Sequence, residues 1–317
     1  MKKYTDTGKK DTRSGFGAGL LEAGRKNPDI VALAADLVGS VKMDAFAKEF
    51  PERFIQCGIA EANMIGAAAG LAITGKVAFV GSFAEFVTGR VYDQVRQEVA
   101  YGHTNVKIAS SHAGITLGED GATHQTMEDI ALMRALPGMV VINPCDYNQC
   151  KAATLAIAEY KGPVYLRYGR PAMPNFTPED QVFEIGKAIN FNEGTDVTIF
   201  ATGHLVWEAI NAAEILEAEG ISAEVINIAT IKPLDVEAVV ASAKKTGAVV
   251  CAEEHNICGG LGELIAGVLA SHAPTPVEYI NGGDKFGQSG TPAQLLKAYD
   301  MDAEHIAEAA RKAIARK

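Results

Sequence analysis

The chain of 317 residues is 48% hydrophobic, 21% charged and 7% aromatic, which excludes a disordered, collagen-like or coiled-coil protein and sets a prior of two domains. Its net charge of −10, from 29 basic against 39 acidic residues, comes with no block of consecutive Lys or Arg, so a nucleic-acid or anionic-membrane surface is disfavoured while a local Arg pocket stays open. Cysteines 57, 145, 150, 251 and 258 include no Cys-x-x-Cys and leave one unpaired under any coupling; with no apolar run long enough to span a membrane and no apolar leader after the charged start, they point to buried thiols in a cytoplasmic protein rather than to zinc or disulfides.

Short Val/Ile-rich runs alternate with longer Ala-rich stretches from end to end, the pattern of an α/β fold with strands buried on both faces. In the first half the predicted strands are 29–34, 76–81, 106–110, 139–143 and 164–168, forming one sheet, with helices near 14–26, 60–73, 87–102, 126–136 and 146–160. RPAMPNFTPED, with three prolines and no periodicity, reads as a linker. The alternation then restarts: strands 196–201, 223–228, 248–253 and 277–279, with helices 205–219, 235–245 and 261–271. The expected organisation is two αβα domains, 1–175 and a smaller 191–317, joined by a linker over 176–190.

Four segments could carry chemistry. Residues 110–125 follow a predicted strand and pack His112, Glu119, Asp120 and His124 among glycines, where ligands of open α/β sheets bind. The alternative is a surface loop whose Asp120 and Thr123 cap the next helix, and the His-x11-His spacing matches no local metal signature. Glu61 enters an otherwise apolar helix, either as a partner of the helix dipole or as a functional acid. Phe83 and Phe86 stand three apart, as core residues or as a ring platform. Gly15-Phe-Gly-Ala-Gly19 lacks the preceding strand, third Gly and Lys of nucleotide motifs; Gly259-Gly-Leu-Gly262 opens a helix that could hold an anion or pack tightly on a strand.

Taken together, Ala35-Asp-Leu37 with Ser40, Gly58-Ile-Ala-Glu61, Ser82-Phe-Ala-Glu-Phe86, His112, Gly118-Glu-Asp-Gly-Ala-Thr-His-Gln125, Leu166-Arg167 and Phe286-Gly-Gln-Ser-Gly290 resemble, in order and spacing, the C-terminal half of transketolase. The resemblance implies a thiamine-diphosphate pyrimidine-binding domain followed by a transketolase C-terminal-like domain. The family's diphosphate domain, with its Gly-Asp-Gly magnesium motif, has no counterpart here. A split transketolase is therefore implied, with thiamine diphosphate as cofactor, Mg2+ bound mainly by an N-terminal partner subunit, sugar phosphates as substrates, and both chains paired in a heterotetramer.

Carried over by resemblance, Glu61 would activate the cofactor at its pyrimidine nitrogen. Asp36, Leu37, Phe83 and Phe86 would surround that ring. His112, Asp120 and His124 would bind the donor sugar, and Arg13, Ser40 and Arg167 its phosphate. Ala60, Ala62 and Gly89 depart from the family pattern near the pyrimidine and bear on pocket shape. The β subunit of a 2-oxo acid dehydrogenase, a 1-deoxyxylulose-5-phosphate synthase-like enzyme and a non-catalytic scaffold of the same fold are the rivals.

Overall fold

The computed structural model describes residues 4–317. The apolar runs become strands without a polar face: Ile30–Ala34 (β1) and, further on, Val77–Phe83 (β3), Val106–Ser111 (β4), Val140–Ile142 (β5) and Val164–Arg167 (β6) are buried along their whole length, as parallel strands covered by helices must be. Between β1 and β3 lies Phe54–Gln56 (β2), a largely exposed strand whose three residues are too few to stand out in the sequence. Helices Thr12–Lys26 (α1) and Tyr147–Glu159 (α4) cover one face. Glu61–Ile73 (α2) and Asp129–Ala135 (α3) lie on the other.

The second half contributes Ile189–Asn192 (β7), Val197–Ala201 (β8), Ala223–Asn227 (β9), Thr230–Lys232 (β10), Val249–Ala252 (β11) and Val277–Ile280 (β12). Its helices are Leu205–Ala218 (α5), Val236–Thr246 (α6), Leu261–His272 (α7), Pro292–Ala298 (α8) and Ala303–Ile314 (α9). One sheet runs β12-β11-β8-β9-β7, parallel except for β7. Another runs β10-β5-β6-β4-β3-β1-β2, parallel except for β10, which pairs antiparallel with β5, and a third is the short antiparallel pairing of Lys10–Asp11 with Ala172–Met173. The expected boundary therefore does not separate the sheets: a strand from the second stretch of sequence completes the first sheet, which has seven strands rather than the expected five.

Three further expectations change in detail. The helix expected over 87–102 breaks after Ala84–Thr88 and resumes as Tyr92–Gln94 followed by a π-helical turn, Val95–Tyr101. The proline-rich stretch is pinned rather than free. Asp146, the N-cap of α4, accepts from the Phe176 and Thr177 N–H groups at 2.9 and 2.7 Å as well as from Gln149 at 2.8 Å. Of the thiols, Cys145, Cys150 and Cys251 are buried and Cys57 is partly so, while Cys258 is exposed.

The glycines of α1 serve close packing. A Cβ on Gly15 would collide with the Tyr147 carbonyl, and one on Gly19 would lie 2.7 Å from Thr154 Cβ, so α1 and α4 touch through their backbones. No helix among the described residues is long and apolar enough to cross a membrane.

Candidate active site

Adjacent strands β1, β3 and β4 end at one edge of the sheet, the edge at which open α/β folds bind ligands. β1 runs into Asp36 and Leu37, both at positive φ (63° and 21°), a region that non-glycine residues enter at a steric cost and that recurs at binding sites. The Gln56 side chain holds this turn. Its Oε1 accepts from the Asp36 and Gly58 N–H groups at 2.8 and 3.0 Å, tying the Leu37 turn to the approach of α2.

Glu61 is the first residue of α2, where the helix dipole favours a carboxylate, and only 4% of it is exposed. Its Oε1 lies 3.0 Å from Arg90 Nη1, and the Arg90 guanidinium sits 4.1 Å over the Phe86 ring. The dipole and functional readings of Glu61 thus meet in one buried carboxylate with a half-exposed cation beside it. Phe83 and Phe86, at the end of β3, stack at 5.7 Å with 20° between their planes.

His112 follows β4 at φ 61° and is buried. Its ring stacks on Phe83 at 3.7 Å, and Nδ1 lies 2.7 Å from Ser111 Oγ. Burial, and then the fields of Arg13 and Arg170, push its pKa from 6.5 down to about 3, so the imidazole is neutral at physiological pH. His124 approaches Phe83 and Phe86 edge-on, at 6.3 and 5.5 Å. Two imidazoles, two phenyl rings and, through Arg90, the Glu61 carboxylate therefore share one cluster.

Asp120 is exposed, 3.9 Å from Arg170 Nη1. The reading of Asp120 and Thr123 as helix caps is not met: α3 begins only at Asp129, after Glu128, and Thr123 Oγ1 bonds His124 Nδ1 at 3.0 Å. Arg13 and Ser40 are brought together, Nη1 donating to the Ser40 carbonyl at 3.1 Å.

Arg167 is buried rather than open to a substrate phosphate. Its side chain is 3% exposed and pairs with the fully buried Asp129, Nε to Oδ2 at 2.7 Å, while Nη2 donates to the Glu254 carbonyl at 2.8 Å. Burial opposes both charges, but each outweighs it for the other, holding Asp129 low and Arg167 high. The reason is its position: Arg167 is the last residue of a strand buried on both sides. Arg170, three residues on, is the cation that reaches the site, donating to the Leu117 carbonyl at 2.8 Å and to Glu119 at 3.3 Å.

The helix end at Gly259-Gly-Leu-Gly262 is already filled. Glu253 accepts from the Leu261 and Gly262 N–H groups at 2.6 and 2.8 Å, so an in-chain carboxylate takes the place of an external anion. Gln56, Arg90 and Arg170 are the site residues that sequence reasoning passed over. Arg90 had a signal in following Gly89 directly, within the segment that bears the two aromatics; Gln56 and Arg170 had none. Among the described residues no three His, Cys, Asp or Glu side chains gather to hold a metal ion.

Residues 8–175 match the transketolase pyrimidine-binding domain family, and residues 186–306 match the transketolase C-terminal domain family. A Methanocaldococcus jannaschii protein described as a transketolase C-terminal section is 50% identical over 302 residues, covering 94% of this chain and 95% of that protein. The 6-deoxy-6-sulfo-D-fructose transketolase subunit SqwH of a Clostridium species is 46% identical over 298 residues, covering 94% and 92%. A solved structure described as a split-gene transketolase in an inactive β4 tetramer superposes with a TM-score of 0.90 at 45% identity, covering 97% of this chain and 99% of that one.

Proposed function

The chain belongs to the transketolase family, and on that premise we propose that it is the pyrimidine-binding and C-terminal subunit of a two-chain, thiamine-diphosphate-dependent transketolase that moves a two-carbon ketol unit from a ketose phosphate to an aldose phosphate. The observation that carries this reading is the buried Glu61 carboxylate beside the stacked Phe83 and Phe86 rings at the strand ends. That set fits an aminopyrimidine. A flat, weakly basic ring needs apolar faces and one buried acceptor at its nitrogen, and Leu37 adds an apolar side chain at the same edge.

Thiamine diphosphate supplies the nucleophilic carbon and electron sink for cleaving the carbon–carbon bond. Glu61, which here meets Arg90 at 3.0 Å, would hold the pyrimidine nitrogen of that cofactor and would carry the proton there. His112, neutral and bonded through Nδ1 to Ser111, keeps Nε2 for the sugar, where an imidazole can donate or accept. His124 is the second proton carrier, and Asp120 is the acceptor for a donor hydroxyl. Arg13 and Arg170, both close enough to depress His112, are the cations for a terminal phosphate, with Ser40 beside Arg13. Arg170 takes the place first given to Arg167.

The diphosphate and Mg2+ ligands belong to an N-terminal partner subunit in a heterotetramer. Ile59 and Ile73, each 78% exposed at the two ends of α2, flank an outward face that includes Ala62 and Gly70, an apolar surface beside Glu61 that another subunit would cover. The inactive tetramer formed by the similar split-gene chain supports the same dependence. The sulfosugar named for the Clostridium subunit makes the preferred ketose a matter for a substrate panel.

The test is to mix the purified chain with the partner carrying the Gly-Asp-Gly motif. The chain alone should show no turnover and the mixture should. Glu61→Gln should lower turnover of the mixture by roughly 100-fold or more at saturating cofactor without loss of folding. Cofactor-dependent turnover by the single chain would reject the two-chain reading.

A further inference from the structure

The loop from His112 to Gln125 carries His112, Asp120 and His124, yet part of its support comes from the second half of the chain. Glu254, just beyond β11 and 3% exposed, accepts from the Thr116 N–H through Oε1 at 2.6 Å, a short charge-assisted bond. Gly114 stands at φ 80°, and a Cβ there would lie 2.6 Å from the same Oε1, so the loop backbone is laid directly on the carboxylate.

Glu254 is itself immobilised. Its carbonyl accepts from Arg167, which is locked to Asp129, and Oε2 lies 3.7 Å from Nδ1 of the buried His204.

We propose that Glu254 is a positioning residue: it fixes the Gly114–Thr116 turn, and through it the seat of the His112 imidazole on Phe83, so that the C-terminal half sets the geometry of the sugar-binding loop. The catalytic part rests on the transketolase reading; the bracing does not. Removing the acceptor leaves the Thr116 amide buried and unpaired, with the turn free to shift, and a small displacement of His112 is felt in sugar binding before it is felt in folding.

The test has two arms. In hydrogen–deuterium exchange on the full-length chain, Glu254→Ala should speed exchange of the peptide containing Thr116 by roughly 10- to 100-fold, the range for one bond to a charged acceptor, while strands β1 and β3 keep their protection. Glu254→Gln, which retains an acceptor oxygen, should stay near wild type. Gly114→Ala, which crowds the carboxylate from the loop side, should reproduce the Glu254→Ala pattern and carries this arm should Glu254→Ala not fold. In the assembled two-chain enzyme, Glu254→Ala should raise KM for the ketose more than it lowers kcat, leave calorimetric affinity for thiamine diphosphate unchanged, and be rescued by Glu254→Gln. Unchanged Thr116 exchange, or equal loss of protection across both sheets, overturns the proposal. If the wild-type assembly turns over no ketose, the transketolase reading fails, and the exchange arm still decides whether Glu254 braces the loop.

Discussion

Arg167 and Arg170 share a side chain and differ in everything that decides what it does. Arg167 ends a buried strand, and its charge is tolerable only because Asp129 meets it with two bonds; truncating it strands a carboxylate in the core. Arg167→Ala should therefore cost about 3–5 kcal/mol of stability and depress phosphorylated and unphosphorylated aldoses alike. Arg170→Ala should leave the melting temperature nearly unchanged and lower kcat/KM for ribose 5-phosphate by roughly 10- to 150-fold, with glycolaldehyde barely affected. Equal losses on both substrates would remove Arg170 from the phosphate site. His112 makes a different prediction. The unfolded imidazole takes up a proton below about pH 6.5, whereas the buried one resists until about pH 3, so protons favour the unfolded chain across that window and stability falls as pH is lowered. The slope approaches about 1.4 kcal/mol per pH unit. Urea unfolding at a series of pH values should show wild type losing that much more per unit than His112→Asn, a residue that tolerates the positive φ; parallel curves would reject a neutral, buried imidazole.

At the scale of elements, Asp146 decides whether the proline-rich stretch behaves as a linker. Cap of α4 and acceptor for both the Phe176 and Thr177 amides, it also takes a bond from the Thr177 hydroxyl at 2.7 Å. Three prolines limit regular structure here to the two-residue pairing of Ala172–Met173 with Lys10–Asp11, but they do not prevent a buried carboxylate from supplying acceptors to the amides that follow. Asp146→Ala should lower stability by about 2–4 kcal/mol and make 174–181 the first site of limited proteolysis. Cleavage elsewhere, at unchanged stability, would show that the stretch is held by its side-chain packing instead. The broken helix after Phe86 has a comparable local origin. Gly89 is still helical (φ −64°, ψ −52°) and the path departs at Val91 (φ −121°, ψ 25°), next to Arg90, whose guanidinium lies against both Glu61 and Phe86.

For the whole molecule, the two halves are not independent bodies. β10 supplies the last strand of the first sheet, and a single apolar cluster runs from Val80 and Ile108 in β3 and β4 to Val239 and Leu261 on α6 and α7. A chain stopped after residue 185 would leave β5 as an unpaired, fully buried-type edge and an apolar face uncovered. Such a fragment should elute as aggregates on size exclusion and bind ANS strongly, whereas the full chain should do neither. A soluble, cooperatively folding fragment would show that β10 and its neighbours are dispensable to the first sheet.

The sequence by itself determined the alternation of buried strands and helices, because a strand covered on both faces can be written only in apolar residues; His112, Asp120, His124, Glu61, Phe83 and Phe86 were singled out by their resemblance to transketolase, since their spacing alone left core and helix-end readings open. Edge strands β2, β7 and β10 escaped that alternation, each only three or four residues long, whereas the edge strand β12 was expected at 277–279. Tertiary structure alone decided that Arg167 is buried while Arg170 stays partly exposed, that Arg90 meets Glu61, that Glu253 fills a helix end and that Glu254 reaches Thr116 across 138 positions. Charged side chains find their partners by proximity in the folded chain, and that proximity is set by how the sheets pack, not by any local pattern.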